Sequence, residues 1–545
     1  MIDKNNGNVL FIVSDDLRAD CLQLAINGQA VLPNLREFME DAVTFRRHYT
    51  VTVPCGPSRV SLLTGLYAMN HRSVRNGTPL RADISNLALE ARKSGYEPLL
   101  FGYTDTSGDP RFLHPNDPAV RSFENPMPGF KEIVALQLEN DNFAWRAHLK
   151  AKGYDLPEYS RFYAPQDFDP ATGPRPDDPA FYRAEDSDTA FLTDECMREL
   201  AVRTDQAWFA HVAYIRPHEP FIAPEPYNRM YRADEIPPPA RMPTPEAEAA
   251  VHPFIASELG KDAINGFIGD FNCHLDNEDP RDVATLRAVY FGLANELDHH
   301  VGRLIGLLKD TGQYDDTLII FTADHGEMLG ERRQWGNASF YDAATHVPLI
   351  IRDPRRRSCN GGQFDAFTES VDVSPTILDW LAGEVPVAMN GASLLPWLEG
   401  NSPPGWRDYA YAEMEFGDPE CHTRRQPETG PGRDLRHPEW VGHTHCQREL
   451  GLSMREANFA VIQEDRYRFA HFNGGLPPLL FDTQSADGEF RNLADDQDYA
   501  GEVLRLTRKM LDHRMRHADH TLSDMKVTAG GTVNYRPPGP APQRA

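Results

Sequence analysis

Two uninterrupted apolar runs stand out along the chain, residues 8–14 (NVLFIVS) and 317–323 (TLIIFTA), with two mostly apolar ones at 207–214 (AWFAHVAY) and 346–351 (HVPLII). Runs of this length without polar alternation predict strands buried on both faces, as in the middle of a parallel sheet. Helical patterns lie between them. The clearest is Leu293, Leu297, Val301, Leu304, Ile305 and Leu308, whose spacings of three and four draw one apolar stripe along a helix. Strands alternating with helices predict an α/β fold with a doubly wound sheet. Such sheets bind ligands beyond the carboxyl ends of their strands.

Elsewhere the pattern weakens. Residues 105–190 and 232–285 are rich in Pro, Asp and Glu, and read as long loops and short helices around a site entrance. After about residue 405 short β-like runs appear (YAYAEMEF, ANFAVIQED, YRFAHF, PPLLFD), predicting a small antiparallel sheet with a packing helix. The expected organisation is therefore a catalytic domain over 1–405, an α+β subdomain over 406–525, and a tail or oligomerisation arm over 526–545.

Composition narrows the class. The chain has 545 residues and a formal net charge of -26, a poor footprint for nucleic acid. No apolar run reaches membrane-spanning length. The first residues lack the basic start and longer apolar stretch of a signal peptide. Seven scattered cysteines without a CxxC pair fit reduced thiols. A cytoplasmic protein without nucleic-acid or membrane partners is the expectation.

Both uninterrupted runs end in acids: Asp15-Asp16 after the first, Asp324-His325 after the other. Carboxylates with one imidazole suit Ca²⁺ or Mn²⁺, with Mg²⁺ or Zn²⁺ as further options; either pair alone also reads as a turn and helix cap. In VPCGPSRVSLLTG, residues 53–65, Pro57 near a helix start and Gly65 after its end place Cys55 just before the helix. Unpaired N–H groups there favour an anion or a nucleophile, and Arg59 is one turn away. A buried structural cysteine is the competing reading. Cys421, His422, His437, His443, His445 and Cys446 read as a second metal site or as a polar loop.

The C-x-P-S-R core at Cys55, Pro57 and Arg59, followed by L-T-G, resembles the type I sulfatase signature of the alkaline phosphatase superfamily. NVLFIVSDD, AYIRPHEPF, LIIFTADHGEMLGE, HVPLII and LLFDTQSADGEFRNLAD extend the resemblance from residue 8 to about 525. LYAMNHRSVRNGTPL and YIRPHEPFIAPEPY are most similar to bacterial phosphonate monoester hydrolases and their arylsulfatase relatives. The resemblance implies an alkaline phosphatase-like mixed sheet and oxidation of Cys55 to Cα-formylglycine by a separate formylglycine-generating enzyme. It implies one divalent metal ion on Asp15, Asp16, Asp324, His325 and the modified Cys55, with Arg59 stabilising that side chain. Asn76 and Tyr103 would contact substrate oxygens, and His218 would stand by the leaving group. Hydrated formylglycine carries two hydroxyls: one attacks sulfur or phosphorus, and the other re-forms the carbonyl and frees the product.

Two positions depart from that family. Asn337 stands where a lysine is usual, and Asp105 where the nearest relatives have threonine. If both face the substrate, dianionic phosphate monoesters are disfavoured relative to monoanions; Asp105 turned to solvent is the other reading. The expected function is hydrolysis of sulfate monoesters, with phosphonate monoester or phosphodiester hydrolysis as the alternative, in a homo-oligomer (dimer or tetramer). A non-catalytic anion-binding protein and a thiol or redox enzyme using Cys55 directly are the rivals.

Overall fold

The computed structural model describes residues 7–534 except 139–141, 166–167, 170, 172, 260–262, 268–274, 418 and 420–443. Eight strands form the main sheet: β1 (Asn8–Ser14), β2 (Val43–Tyr49), β3 (Pro98–Gly102), β4 (Lys131–Ala135), β5 (Phe209–Tyr214), β6 (Thr317–Ala323), β7 (Leu349–Arg352) and β8 (Gln363–Glu369). Their order across the sheet is β8-β2-β7-β6-β1-β5-β3-β4. β1 lies at the centre, parallel to both β5 and β6. Its uninterrupted apolar run has a direct cause. Leu10 and Ile12 enter the hydrophobic cluster on one face of the sheet, and Val9, Phe11 and Val13 enter the cluster on the other.

Helices cover both faces. On one pack α2 (Asp188–Ala201) and α3 (Pro280–Asp310), and on the other α1 (Cys55–Thr64) and α4 (Val373–Trp380). The α3 stripe runs as expected, with Leu293, Leu297, Val301, Leu304, Ile305 and Leu308 all buried. Asp279 caps its start by accepting from the Arg281 amide, and Pro280 occupies its first position.

The HVPLII strand, β7, runs antiparallel to both β2 and β6, so the sheet is mixed, as the family resemblance implied; the correction to the sequence expectations concerns an edge strand. The segment 105–190 is not only loop and short helix. It contributes the edge strand β4, and a helix at Phe143–Ala151 whose Trp145 and Leu149 are fully buried.

The C-terminal runs form the expected antiparallel sheet: β9 (Ala410–Glu415), β10 (Asn458–Gln463), β11 (Tyr467–Phe472) and β12 (Leu479–Asp482). Phe459, Phe472 and Phe481 share a cluster with Phe254 and Phe340 of the larger part. On the opposite face Ile462 and Phe469 meet Leu506 and Met510 of helix α5 (Ala500–Arg516). Beyond it β13 (Met525–Thr528) and β14 (Gly531–Asn534) make an exposed hairpin. No described helix is long and apolar enough to cross a membrane.

Candidate active site

The carboxyl ends of β1, β3, β5 and β6 meet the first turn of α1. β1 delivers Asp15 and Asp16, β6 delivers Asp324 and His325, β3 is followed by Tyr103 and Asp105, and β5 by His218. Cys55 is the first residue of α1, one position further in than the sequence expectation, with Pro54 capping it and Gly65 closing the helix at φ 66°. Its Sγ lies 3.2 Å from His325 Nε2 and 3.8 Å from Asp15 Oδ1.

Arg59, one turn along, is buried and joins the two strand ends. Its Nε donates to Asp324 Oδ2 at 2.8 Å, and one terminal nitrogen donates to Asp15 Oδ2 at 3.0 Å and to the Tyr103 hydroxyl at 3.1 Å. The guanidinium stacks on the Tyr103 ring at 4.1 Å, and the Tyr103 hydroxyl donates in turn to Asp15. Asp105 is buried in the left-handed region at φ 47°, its carboxylate 3.8 Å from Arg59 Nε, so it faces the site rather than solvent. Asn76 accepts from the Gly56 amide at 2.9 Å. A Cβ at position 56 would meet that same oxygen at 2.9 Å and the Asp105 carbonyl at 3.3 Å, so a side chain here would displace Asn76. Asn337 Nδ2 lies 3.3 Å from His325 Nε2. His218 Nε2 lies 3.8 Å from Asp16, and its Nδ1 3.4 Å from Glu219. All eleven residues expected at the active site thus lie around one point.

The local field is strongly negative. Burial, then Asp15, Asp324, Asp105 and Asp16, push the Cys55 thiol well above its ordinary value. Burial would raise Asp15, but His218, Arg59 and His325 overcome it and hold that carboxyl down. Burial opposes a charge on His218, yet Glu219, Asp15 and Asp16 bring it up to about 10.

The donors fit a divalent cation. One oxygen, nitrogen or sulfur atom from each of Asp15, Cys55, Asp324 and His325 lies within 4.8 Å of the others. Three ligand types, mostly hard, in a buried acidic pocket suit Ca²⁺, Mn²⁺, Mg²⁺ or Zn²⁺. Asp16 falls outside that group. It pairs with His325 Nδ1 at 2.8 Å and joins two neighbouring groups, one with Asp15 and His218, the other with Glu219 and Glu327.

Sequence reasoning passed over Glu219, Glu327 and Arg216. Glu219 follows His218 directly, and Glu327 stands two residues after His325, so proximity to flagged residues was the available signal. Arg216 is buried against Asp188 and donates to the carbonyls of His218 and Pro220 at 2.8 and 3.0 Å, which anchors the His218 loop. Of the cysteine–histidine cluster, Cys421, His422, His437 and His443 lie outside the described residues. Cys446 meets Glu258 at 2.5 Å, His445 pairs with Glu449, and neither joins a metal-capable group among the described residues.

The sulfatase family model matches residues 7–384. The multifunctional alkaline phosphatase superfamily protein PehA of Trinickia caryophylli is 37% identical over 531 residues, 96% of this chain and 98% of that protein. Among solved structures, the phosphonate monoester hydrolase SpPMH from Silicibacter pomeroyi superposes with a TM-score of 0.87 at 48% identity, covering 97% of this chain and 99% of its own. The phosphonate monoester hydrolase of Agrobacterium radiobacter gives 0.87 at 39% identity, covering 97% and 100%.

Proposed function

The chain belongs to the sulfatase family of hydrolases, and from that premise we propose that it is a metal- and formylglycine-dependent hydrolase of singly charged esters, foremost phosphonate monoesters. One observation carries the reading. Asp15, Asp324 and His325 converge from two strand ends on Cys55, while Arg59 bridges both carboxylates. Two relatives named phosphonate monoester hydrolases, similar over nearly the whole chain, support the substrate class. Sulfate monoesters, also singly charged, are the second reading. Asn337 and Asp105 together remove one positive and add one negative charge at the site, which disfavours dianions without separating these two classes.

A divalent ion would neutralise charge on the transferred group, and the hydrated aldehyde at position 55 would supply the attacking oxygen and a second hydroxyl for release. The chain's own residues do the rest. Arg59 holds Asp15 and Asp324 in fixed orientation around residue 55. The Gly56 amide orients Asn76, and Tyr103 locks Arg59 in place. His218, 13% exposed at its side chain, stands at the open side of the site and donates a proton to the leaving oxygen. A maturing enzyme that oxidises Cys55 is the implied partner. A dimer or tetramer built through the C-terminal hairpin is the proposed assembly.

The test is kcat/KM on an aryl phenylphosphonate and an aryl sulfate with the same leaving group, using one metal-replete preparation. Conversion is confirmed by mass, because formylglycine makes the Cys55 peptide lighter by nearly one water. Phosphonate preference is expected. Sulfate preference would promote the second reading. Full activity with Cys55 unconverted would leave the thiol-enzyme rival standing instead.

A further inference from the structure

Asp105 faces the site but has no part in the chemistry just proposed. It is 6% exposed, and its carbonyl oxygen would stand 3.3 Å from a Cβ on Gly56, which puts it against the first turn of α1 beside Cys55. Its charge is among those that push the Cys55 thiol up, after burial, Asp15 and Asp324. Arg59 does not depend on it. The guanidinium already donates to Asp324 at 2.8 Å and to Asp15 at 3.0 Å, while the Asp105 carboxylate lies 3.8 Å from Nε, beyond hydrogen-bond length. The backbone does not demand a charge either. At φ 47° the left-handed region suits Asp or Asn better than the β-branched threonine of the family pattern, and Asn would serve without ionising. A further carboxylate buried in this cluster costs free energy unless a cation meets it, and the Arg59 charge is already shared by two.

The substrate can supply that cation. His218 stands on another flank, 3.8 Å from Asp16, and faces the leaving oxygen. Asp105 is then beside the substituents that stay on the transferred atom. On a sulfate those are oxygens only. On a phosphonate one of them is a carbon chain, which can carry a charge of its own. We propose that Asp105 pairs with an ammonium group on the phosphorus-bound carbon chain, so that the preferred substrates are zwitterionic aminoalkylphosphonate monoesters. Ammonium and carboxylate in a buried pocket form a charge-assisted hydrogen bond, stronger than a neutral one. The same pattern suits the whole molecule, because a zwitterion has no net charge for the chain's -26 to repel. The inference rests on the phosphonate reading of the site and narrows it.

The experiment compares two nitrophenyl esters that differ in one group, an aminoethylphosphonate and its uncharged isostere, a propylphosphonate. kcat/KM is measured for both on metal-replete, Cys55-converted wild type and Asp105→Asn, with nitrophenyl sulfate as a third substrate and circular dichroism as the folding control. Wild type is expected to prefer the aminoethyl ester by at least about tenfold, the scale of one hydrogen bond to a charged group. In Asp105→Asn that ratio is expected to fall close to the ratio of the uncatalysed rates. No preference in wild type overturns the proposal and leaves the phosphonate reading, since the propyl ester is still hydrolysed. An equal preference in the folded variant overturns it as well, because the preference then belongs to the ester and not to Asp105. Turnover of the sulfate with neither phosphonate ester hydrolysed removes the phosphonate reading and the proposal together. Should Asp105→Asn fail to fold, competitive inhibition of wild type by aminoethylphosphonate and propylphosphonate decides, since ester reactivity plays no part in it. Tighter inhibition by the amine is expected, and equal or weaker inhibition overturns the pairing.

Discussion

Arg59 spans Asp15 and Asp324 because a planar guanidinium donates along two directions at once, which the point charge of a lysine does not. Arg59→Lys keeps the charge, loses one of the two carboxylate contacts and loosens the stacking on Tyr103. The expected loss in kcat/KM is roughly 10²-fold, the scale of removing one preorganised donor. Steady-state kinetics on metal-replete, Cys55-converted enzyme read it, and an unchanged rate would mean the bridge is only structural. Asn337 makes the opposite prediction. Its side chain is 3.3 Å from His325 Nε2, so a lysine there restores a positive charge at the site. One charge at about 4 Å is worth on the order of 4 kcal/mol at an effective dielectric of 20. Asn337→Lys is therefore expected to raise kcat/KM for a phosphate monoester dianion relative to a sulfate ester by at least about tenfold. Parallel assays on aryl phosphate and aryl sulfate with the same leaving group check the ratio, and a fall in it would place position 337 away from the transferred group.

At the scale of elements, helix α3 contains one residue at odds with its apolar stripe. Glu296 is fully buried, with neither carboxylate oxygen hydrogen-bonded. Burial, then the Asp188 charge, push its carboxyl up to about 8, while Ser187 and Arg216 pull the other way; Tyr182 and Tyr227 complete its surroundings. The unfolded carboxyl ionises near 4.5 and the folded one near 8. Between those values the folded state binds the extra proton, so stability falls as pH rises and levels off above about 8. The loss is on the order of a few kcal/mol. Glu296→Gln is expected to flatten the slope, and thermal melts should show its advantage over wild type growing from pH 5 to pH 8. An equal gap at both ends would mean that Glu296 is not protonated in the fold.

The same scale shows what sequence pattern reaches and what it does not. β1 and β6 were readable because strands buried on both faces must be apolar throughout, and their terminal acids mark where the burial stops. β2 (VTFRRHY) and β8 (QFDAFTE) carry exposed charges near the sheet margin, and β3 (PLLFG) is too short to separate from a helix fragment, so none gave a comparable signal. Strand direction left no mark in HVPLII. Cys55, Arg59 and the metal acids were found through motifs local in sequence. The Asp16–Glu219–Glu327 cluster joins three segments, and only the folded chain brings them together.

Over the whole molecule, a net charge of -26 opposes any anionic substrate. Long-range repulsion is screened within a Debye length of about 10 Å at 0.1 M salt. The expectation is that kcat/KM for a singly charged ester rises as ionic strength goes from 10 to about 150 mM, while kcat stays level; a fall would point to a local positive funnel that outweighs the global field. The C-terminal end carries a different whole-molecule signal. The β13–β14 hairpin pairs only with itself, and a lone two-stranded hairpin is marginal in water. It nevertheless exposes Val527 at 84% and Val533 at 58%, next to Leu522 at 74%, while α5 turns Leu511 and Met515 outward. Apolar side chains on so thin an element are covered if the hairpin lies across a second copy of the chain. Light scattering on the full chain is therefore expected to give a dimer or tetramer. A chain ending after His520 should give a smaller species that retains its kcat/KM, because no residue of the site lies beyond that point. A monomeric full chain, or an unchanged assembly after truncation, would assign the hairpin no part in it.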